Sequence, residues 1–67
     1  MNDYILKASL LDHKIITIMY MKSIEDISQR NIKVLDIKGD TVKAYCYLKH
    51  QIRYFKKVNI LSAGYIH

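Results

Sequence analysis

The chain has 67 residues, of which 51% are hydrophobic and 25% are charged, and its formal net charge is +5. This composition is typical of one small globular domain and excludes a disordered chain. A single cysteine excludes an internal disulfide, and the apolar stretch from Ile15 to Met21 is far too short to span a membrane. Because the N-terminus has no basic and apolar leader, we expect one cytoplasmic domain over residues 1–67, without membrane contact.

The positive charge is concentrated in the middle of the chain. Residues 29–57 contain eight basic residues against two acidic ones, whereas residues 1–28 contain three lysines against four acidic residues. A concentrated positive field attracts polyanions such as nucleic acid. A basic surface that only keeps a small domain in solution explains the charge as well, so charge alone leaves both interpretations open.

The first half of the chain predicts a helix and two strands. Helical spacing predicts a helix over residues 3–11, with an apolar face formed by Tyr4, Ile5, Ala8 and Leu11. Residues 14–21 are β-rich with apolar residues at both parities, which favours a strand buried on both faces. A polar connection is expected over residues 22–28. Residues 29–37 predict a second strand, whose apolar parity switches near Val34 and Leu35 and indicates a bulge there.

The second half predicts two hairpins. Gly39-Asp40 favours a tight turn into a strand over residues 41–49, where strict alternation is clearest. His50-Gln51 is then expected to turn the chain into a strand over residues 52–57, before a short turn at 58–61 and a closing strand at 63–66. The expected fold is mostly β with one N-terminal helix, a small SH3-like or Sm-like antiparallel barrel of four to five strands.

A two-residue turn at His50-Gln51 places Tyr47 opposite Tyr54 and Cys46 opposite Phe55. The core face then carries Ala44, Cys46, Leu48 and Phe55, with Arg53 toward its edge. The other face carries tyrosines and lysines, namely Lys43, Tyr45, Tyr47, Lys49, Tyr54 and Lys56. Bases stack on aromatic rings while lysines follow phosphates. Packing or self-association of the tyrosines is the other interpretation of this face.

Motifs for catalysis and for metal or cofactor binding are not found in the sequence. His13, His50 and His67 fall in turns or at the terminus, with no metal-ligand spacing toward Cys46, which we expect to be a buried core thiol. A glycine-rich phosphate loop is also lacking. We therefore expect a binding domain without cofactor or metal rather than an enzyme.

The two arginines, Arg30 and Arg53, both fall inside predicted strands. A half-buried guanidinium needs an anion or hydrogen-bond acceptors. The partner is either internal, such as Asp36, or a phosphate or carboxylate ligand.

Four segments in order resemble the WYL domain family across residues 14 to 61. They are Ile16-Thr17-Ile18-Met19-Tyr20, Gln29-Arg30-Asn31-Ile32, Lys43-Ala44-Tyr45-Cys46-Tyr47-Leu48 and Ile52-Arg53-Tyr54-Phe55-Lys56, followed by Ile60. The sequence departs from the family at four points. Asp40-Thr41-Val42 stands where the family's tripeptide is expected, Val34 replaces the usual proline, and Asn59 replaces the usual arginine. Lys56 stands at the second basic position of the family's Arg-x-Phe-Arg element.

The resemblance implies an SH3-like or Sm-like barrel of bacterial transcription regulators that senses ligands through a basic site. By position, that site would include Tyr20, Arg30, Tyr45, Arg53 and Lys56. The leading hypothesis is a stand-alone sensing or accessory domain that binds single-stranded nucleic acid or a nucleotide. In it the arginines hold phosphate, and Tyr45, Tyr47 and Tyr54 stack bases beside Lys43. The alternative is a protein-interaction module that uses the tyrosine-rich face to bind a regulator protein or a second copy of itself.

Overall fold

The computed structural model describes residues 2–66, which form one helix and a five-stranded antiparallel sheet. The sheet has the order β4-β3-β2-β1-β5. The mostly-β class with an N-terminal helix is therefore confirmed. The elements are α1 (Asn2–Asp12), β1 (Ile15–Ser23), β2 (Asp26–Lys38), β3 (Thr41–Cys46), β4 (Gln51–Lys56), a 3-10 turn (Lys57–Asn59) and β5 (Ile60–Tyr65). No helix among these residues is long and apolar enough to cross a membrane.

The sheet is strongly curled but is not closed into the expected barrel. In a flat sheet the edge strands β4 and β5 would lie roughly 19 Å apart. Lys56 ends β4 and Ile60 begins β5, and a chain of this length spans at most about 14 Å. The two edges therefore approach each other at the 3-10 turn. The prediction of a closed barrel is wrong because β4 and β5 form no backbone ladder with each other within residues 2–66.

The core lies on the concave, inner face of the sheet and under α1. Its buried side chains are Leu6, Ile16, Ile18, Ile32, Val34, Val42, Ala44, Cys46, Phe55 and Ile60. Only alternate residues of β1 are buried, so the expected burial of this strand on both faces is wrong. Within residues 2–66 the outer face of β1 is not buried, and Ile15 is exposed there.

Helix α1 packs through a face rotated from the one that its apolar spacing predicted, although Ile5 packs against the core as expected. Leu6 and Ser9 are buried, whereas Tyr4 and Leu11 are exposed. The Ser9 hydroxyl donates to the Lys14 carbonyl at 2.6 Å and accepts from the Val34 amide at 2.9 Å. Because the polar residue Ser9 lies at the centre of the packed face, the apolar residues of that face do not show a helical spacing in the sequence.

The first two hairpins fix the faces of β2. Ser23 pairs with Asp26, so a tight turn replaces the longer connection expected over residues 22–28. The ladder between β2 and β3 shifts register between Val34 and Asp36, which confirms the expected bulge. Gly39 adopts a φ of 56°, in the left-handed region that a tight turn requires. This confirms the hairpin at Gly39-Asp40.

The last hairpin turns earlier than predicted. Cys46 pairs with Gln51, so residues 47–50 form the turn and His50 takes the left-handed φ of 55°. Phe55 consequently lies opposite Val42, not Cys46. The observed register between β3 and β4 differs from the expected one by an even number of residues, so each side chain stays on the face that was predicted for it. Leu48 is the exception, because it lies in the turn and is 57% exposed instead of entering the core.

The closing strand is also longer than expected, since β5 starts at Ile60, directly after the 3-10 turn, and pairs with β1. His13 adopts a left-handed φ in the connection between α1 and β1. His67, the third histidine of the sequence, lies outside the described residues.

Candidate nucleic-acid interface

The structure divides the eight predicted binding residues between the two faces of the sheet. One group lies on the convex, outer face or in the turn beside it, and we call this group the lysine–tyrosine face: Lys43, Tyr45, Tyr47, Tyr54 and Lys56. The other group lies on the inner face together with the core: Tyr20, Arg30 and Arg53. The alternation of inward and outward side chains along each strand produces this division.

Backbone register brings lysine and tyrosine together twice on the outer face. Lys43 lies directly opposite Tyr54, and Lys33 lies directly opposite Tyr45. Directly opposed residues have Cβ atoms about 4.5–5.5 Å apart, and diagonal neighbours such as Tyr45 and Tyr54 are about 7–8 Å apart. Each of these two tyrosines therefore has a lysine as its cross-strand neighbour, and adjacent bases of one nucleic-acid strand could meet both rings.

The three tyrosine rings of this face differ in their ring contacts and in their exposure to solvent. The Tyr45 and Tyr47 rings lie edge to face, with centroids 4.9 Å apart. The Tyr47 amide donates to the Asn31 carbonyl at 3.0 Å, which holds the turn against β2. Tyr54 has no ring partner among residues 2–66 and is 66% exposed. Tyr54 is thus the ring most open to stacking by a ligand.

The outer face has an excess of positive charge. Lys33, Lys43 and Lys56 lie on it, with Asp36 as the nearest acidic residue by register. The Asp36 carboxylate accepts a hydrogen bond from the Ile37 amide at 2.9 Å. One ion pair is found among residues 2–66. It joins Lys57 Nζ to Asp3 Oδ1 of α1 at 3.2 Å. The outer lysines are therefore not neutralised by carboxylates at ion-pairing distance.

The two arginines are half-buried on the inner face, on either side of β3. The Arg30 guanidinium donates to the Ser28 hydroxyl at 3.1 Å and to Cys46 Sγ at 3.7 Å. Arg53 lies opposite Ala44. Asp36, the internal partner considered from sequence, is on the outer face, and no carboxylate of residues 2–66 lies within ion-pairing distance of either guanidinium.

The third inner residue, Tyr20, is already engaged within the protein. Its ring lies edge to face with Phe55, and its hydroxyl accepts a hydrogen bond from the Lys56 amide at 3.3 Å. These contacts join β1 to β4 across the open side of the curled sheet. Tyr20 therefore has a structural role here, whatever else it contacts.

Arg30 also affects the chemistry of Cys46, which is fully buried as expected. Burial raises the pKa of this thiol, but hydrogen bonds from the Lys49 and Leu48 backbone and from the Arg30 guanidinium outweigh it. The pKa of Cys46 consequently lies below its usual value. The guanidinium thus has a thiol as its neighbour rather than a carboxylate.

Lys33 was not among the residues predicted from sequence, although it lies directly opposite Tyr45. A signal for it was present. Starting from the turn at Gly39-Asp40 and inserting one bulged residue at Leu35 gives the observed pairing of Lys33 with Tyr45. The interpretation had considered only the register between β3 and β4.

Comparison of the chain with protein-family models, with curated proteins and with solved structures found no match.

Proposed function

We propose that this chain binds single-stranded nucleic acid on the lysine–tyrosine face. In this proposal the tyrosine rings stack against bases, and Lys33, Lys43 and Lys56 contact phosphates. Single-strand binders commonly combine a positive surface with aromatic platforms, and each stacked base contributes about 1–3 kcal/mol. On the convex outer side of the sheet, the Tyr54 ring is exposed and the Tyr45 and Tyr47 rings lie edge to face beside it.

The observation that carries the proposal is the repeated cross-strand pairing of a lysine with a tyrosine. Lys43 with Tyr54 and Lys33 with Tyr45 alternate cation and ring on neighbouring strands. Asp36 lies opposite Lys43 in the β2–β3 register, but no carboxylate in the described part of the chain lies within ion-pairing distance of these lysines. A polyanion is the partner that satisfies this surface, because it brings charge and stacking groups at once.

The likeness to WYL domains supports a biological setting for this binding. We propose a cytoplasmic accessory or ligand-sensing domain of bacterial transcription regulation, with an open form of an SH3-like or Sm-like barrel. The curl of the sheet supports this description of the fold, since its edges meet at the 3-10 turn. The family's ligand positions correspond here to residues from both faces.

Arg30 and Arg53 form a second candidate position for an anion, on the inner face. A guanidinium that lacks a carboxylate partner favours phosphate or carboxylate ligands. A base stacked on Tyr54 lies on the opposite side of the sheet. The two positions therefore predict different residues in contact with the ligand, and one experiment separates them.

A protein-interaction module remains the second candidate, on a specific observation. Ile15 and Ile52 are exposed and lie on the same outer face as the tyrosines. Tyrosine and exposed aliphatic side chains together are typical of protein interfaces. A concentration-dependent dimer that is lost in the Tyr47→Glu variant would favour this function.

Backbone chemical-shift mapping with a short single-stranded oligonucleotide tests the proposal. We expect the largest shifts at residues 33, 43, 45 and 54, with smaller shifts at residues 28, 30 and 53. Shifts centred on residues 28, 30 and 53 would instead assign the ligand to the inner arginines. The absence of shifts at low salt would overturn nucleic-acid binding and favour the interaction module.

A further inference from the structure

The strand β5 is an edge strand whose protection against pairing is limited to a register shift near Leu61. From Ser62 to Tyr65 its outward edge has no strand partner among residues 2–66, so the backbone donors and acceptors of this part face outward. Natural edge strands are commonly blocked by lysine, proline or an inward charge. Residues 58 to 66 contain no lysine, arginine, acidic residue or proline.

The other edge of the sheet is different. Strand β4 has Arg53 and Lys56, and the lysine–tyrosine face lies on it and on its neighbours. The outer face of β1, next to β5, carries Ile15, Thr17, Met19 and Met21. The side chains of this two-strand surface are therefore uncharged up to the open edge of β5, and one ammonium group, Lys14 Nζ, lies 5.2 Å from the Tyr65 ring centroid at the end of the strand.

The side chains around β5 also favour close approach of another strand. Leu61 is 49% exposed, and Val58 and Ile66 are exposed as well. The middle of the strand has the small residues Ser62, Ala63 and Gly64, which leave the backbone accessible. Pairing here satisfies backbone groups and covers apolar side chains in one step.

We propose that β5 pairs antiparallel with β5 of a second copy of this chain, forming a two-fold symmetric dimer with a continuous sheet. Charge selects this arrangement. Each copy carries a net charge of +5, so most surfaces of two copies repel each other. The uncharged middle of β5, at Ser62, Ala63 and Gly64, is where two copies approach without placing lysines opposite one another. An antiparallel two-fold contact also closes on itself and stops at two copies.

Sedimentation equilibrium of the chain over a wide concentration range tests the dimer. We expect a change from a species of 7.9 kDa to one of twice that mass. The dimer should persist or strengthen as salt rises, because salt screens the repulsion between the copies. Nucleic-acid binding weakens with salt, so the two proposals are distinguishable. A monomer at every concentration would overturn the dimer.

Two variants locate the interface. Ser62→Lys places like charges opposite each other across the proposed pairing and should raise the dimer dissociation constant about fivefold or more. Gln51→Lys makes the same kind of change at an exposed position of the other edge, β4, and should leave the constant unchanged. Loss of the dimer in Gln51→Lys or Tyr47→Glu, but not in Ser62→Lys, would contradict the β5 interface.

Amide hydrogen exchange provides a measurement that does not depend on any substitution. We expect amides within residues 61–65 to exchange more slowly at high than at low protein concentration. Slowing confined to residues 51–56 would contradict the proposal and assign the interface to β4.

Discussion

Tyr20 and Phe55 lie edge to face with ring centroids 4.9 Å apart, although β2 and β3 separate their strands in the sheet. The sheet must curl by a large angle to bring them together. The Tyr20 hydroxyl then accepts the Lys56 amide at 3.3 Å. Aromatic contact and one hydrogen bond thus join β1 to β4 across the open side of the sheet, where the edge strands β4 and β5 form no backbone ladder within residues 2–66.

Truncation of Tyr20 should measure how much this contact stabilises the fold. Tyr20→Phe removes only the hydroxyl acceptor and should lower the free energy of unfolding by about 0.5–1.5 kcal/mol. Tyr20→Ala also removes the ring and should cost about 2 kcal/mol or more. Urea unfolding measures both, with Tyr54→Phe on the outer face as the matched control. Equal effects of Tyr20→Phe and Tyr54→Phe would show that the hydroxyl contact is not stabilising.

Ser9 should be unusually important for an 11-residue helix. Its hydroxyl is buried and joins the Lys14 carbonyl to the Val34 amide, beside the bulge of β2. Ser9→Ala leaves both backbone groups without this partner and should cost about 1–3 kcal/mol. Denaturant unfolding checks this, with Asp12→Ala on the exposed side of the helix as control. A loss no larger than that of the control would mean that other groups satisfy the two backbone atoms.

The two glycines should respond differently to a methyl group. No atom lies within 4 Å of a Cβ built at either position, so steric contact does not distinguish them. Gly39 has a φ of 56°, and Gly39→Ala should cost about 1–2 kcal/mol for the left-handed backbone. Gly64→Ala should change stability by less than about 0.5 kcal/mol. Thermal or denaturant unfolding of the pair provides the comparison, and equal losses would contradict the turn geometry.

The thiol of Cys46 should make stability depend on pH. Burial raises its pKa, but the Lys49 and Leu48 backbone and Arg30 hold that pKa below its usual value of 9.0 in the folded state. The unfolded state therefore binds more protons between the folded pKa and 9.0, and stability rises with pH across this window. The contribution is fully present above 9.0 and is lost as pH falls through the folded pKa.

Substitution of the two arginines isolates this effect. Arg30→Gln removes the guanidinium beside Cys46 and should flatten the rise of unfolding free energy with pH, whereas Arg53→Gln should leave it intact. Urea unfolding at several pH values, with Cys46→Ala as the background for other titrating groups, measures the difference. The same pH slope in wild type and Arg30→Gln would rule out the proposed control of the pKa.

Local sequence signals predicted the elements of this fold better than their long-range arrangement. The turn at Gly39-Asp40 and the bulge at Leu35 follow from backbone chemistry within a few residues, and both were predicted. The pairing of Cys46 with Gln51 was missed because His50 adopts a left-handed backbone that its sequence context does not signal. The open sheet and the Tyr20–Phe55 contact depend on how strongly the whole sheet curls. The alternation of apolar and polar residues along a strand does not predict this curl.

The candidate site shows the same limit. The residues of the lysine–tyrosine face were predicted because even shifts of register preserve the faces of a strand. The cross-strand partners of these residues were not predicted. Tyr54 lies opposite Lys43, whereas the expected register placed it opposite Tyr47. The separation of Arg30 and Arg53 from the tyrosines follows from strand parity.

Fluorescence anisotropy of a short labelled single strand, at about 50 and 200 mM salt, tests nucleic-acid binding most directly. We predict binding that weakens steeply with salt, and Tyr54→Ala should lower affinity by about five- to 150-fold, equivalent to one stacked base. Tyr4→Ala, at an exposed tyrosine of α1, should bind as wild type does. No binding at the lower salt, or equal losses in the two tyrosine variants, would contradict the lysine–tyrosine face as a nucleic-acid site.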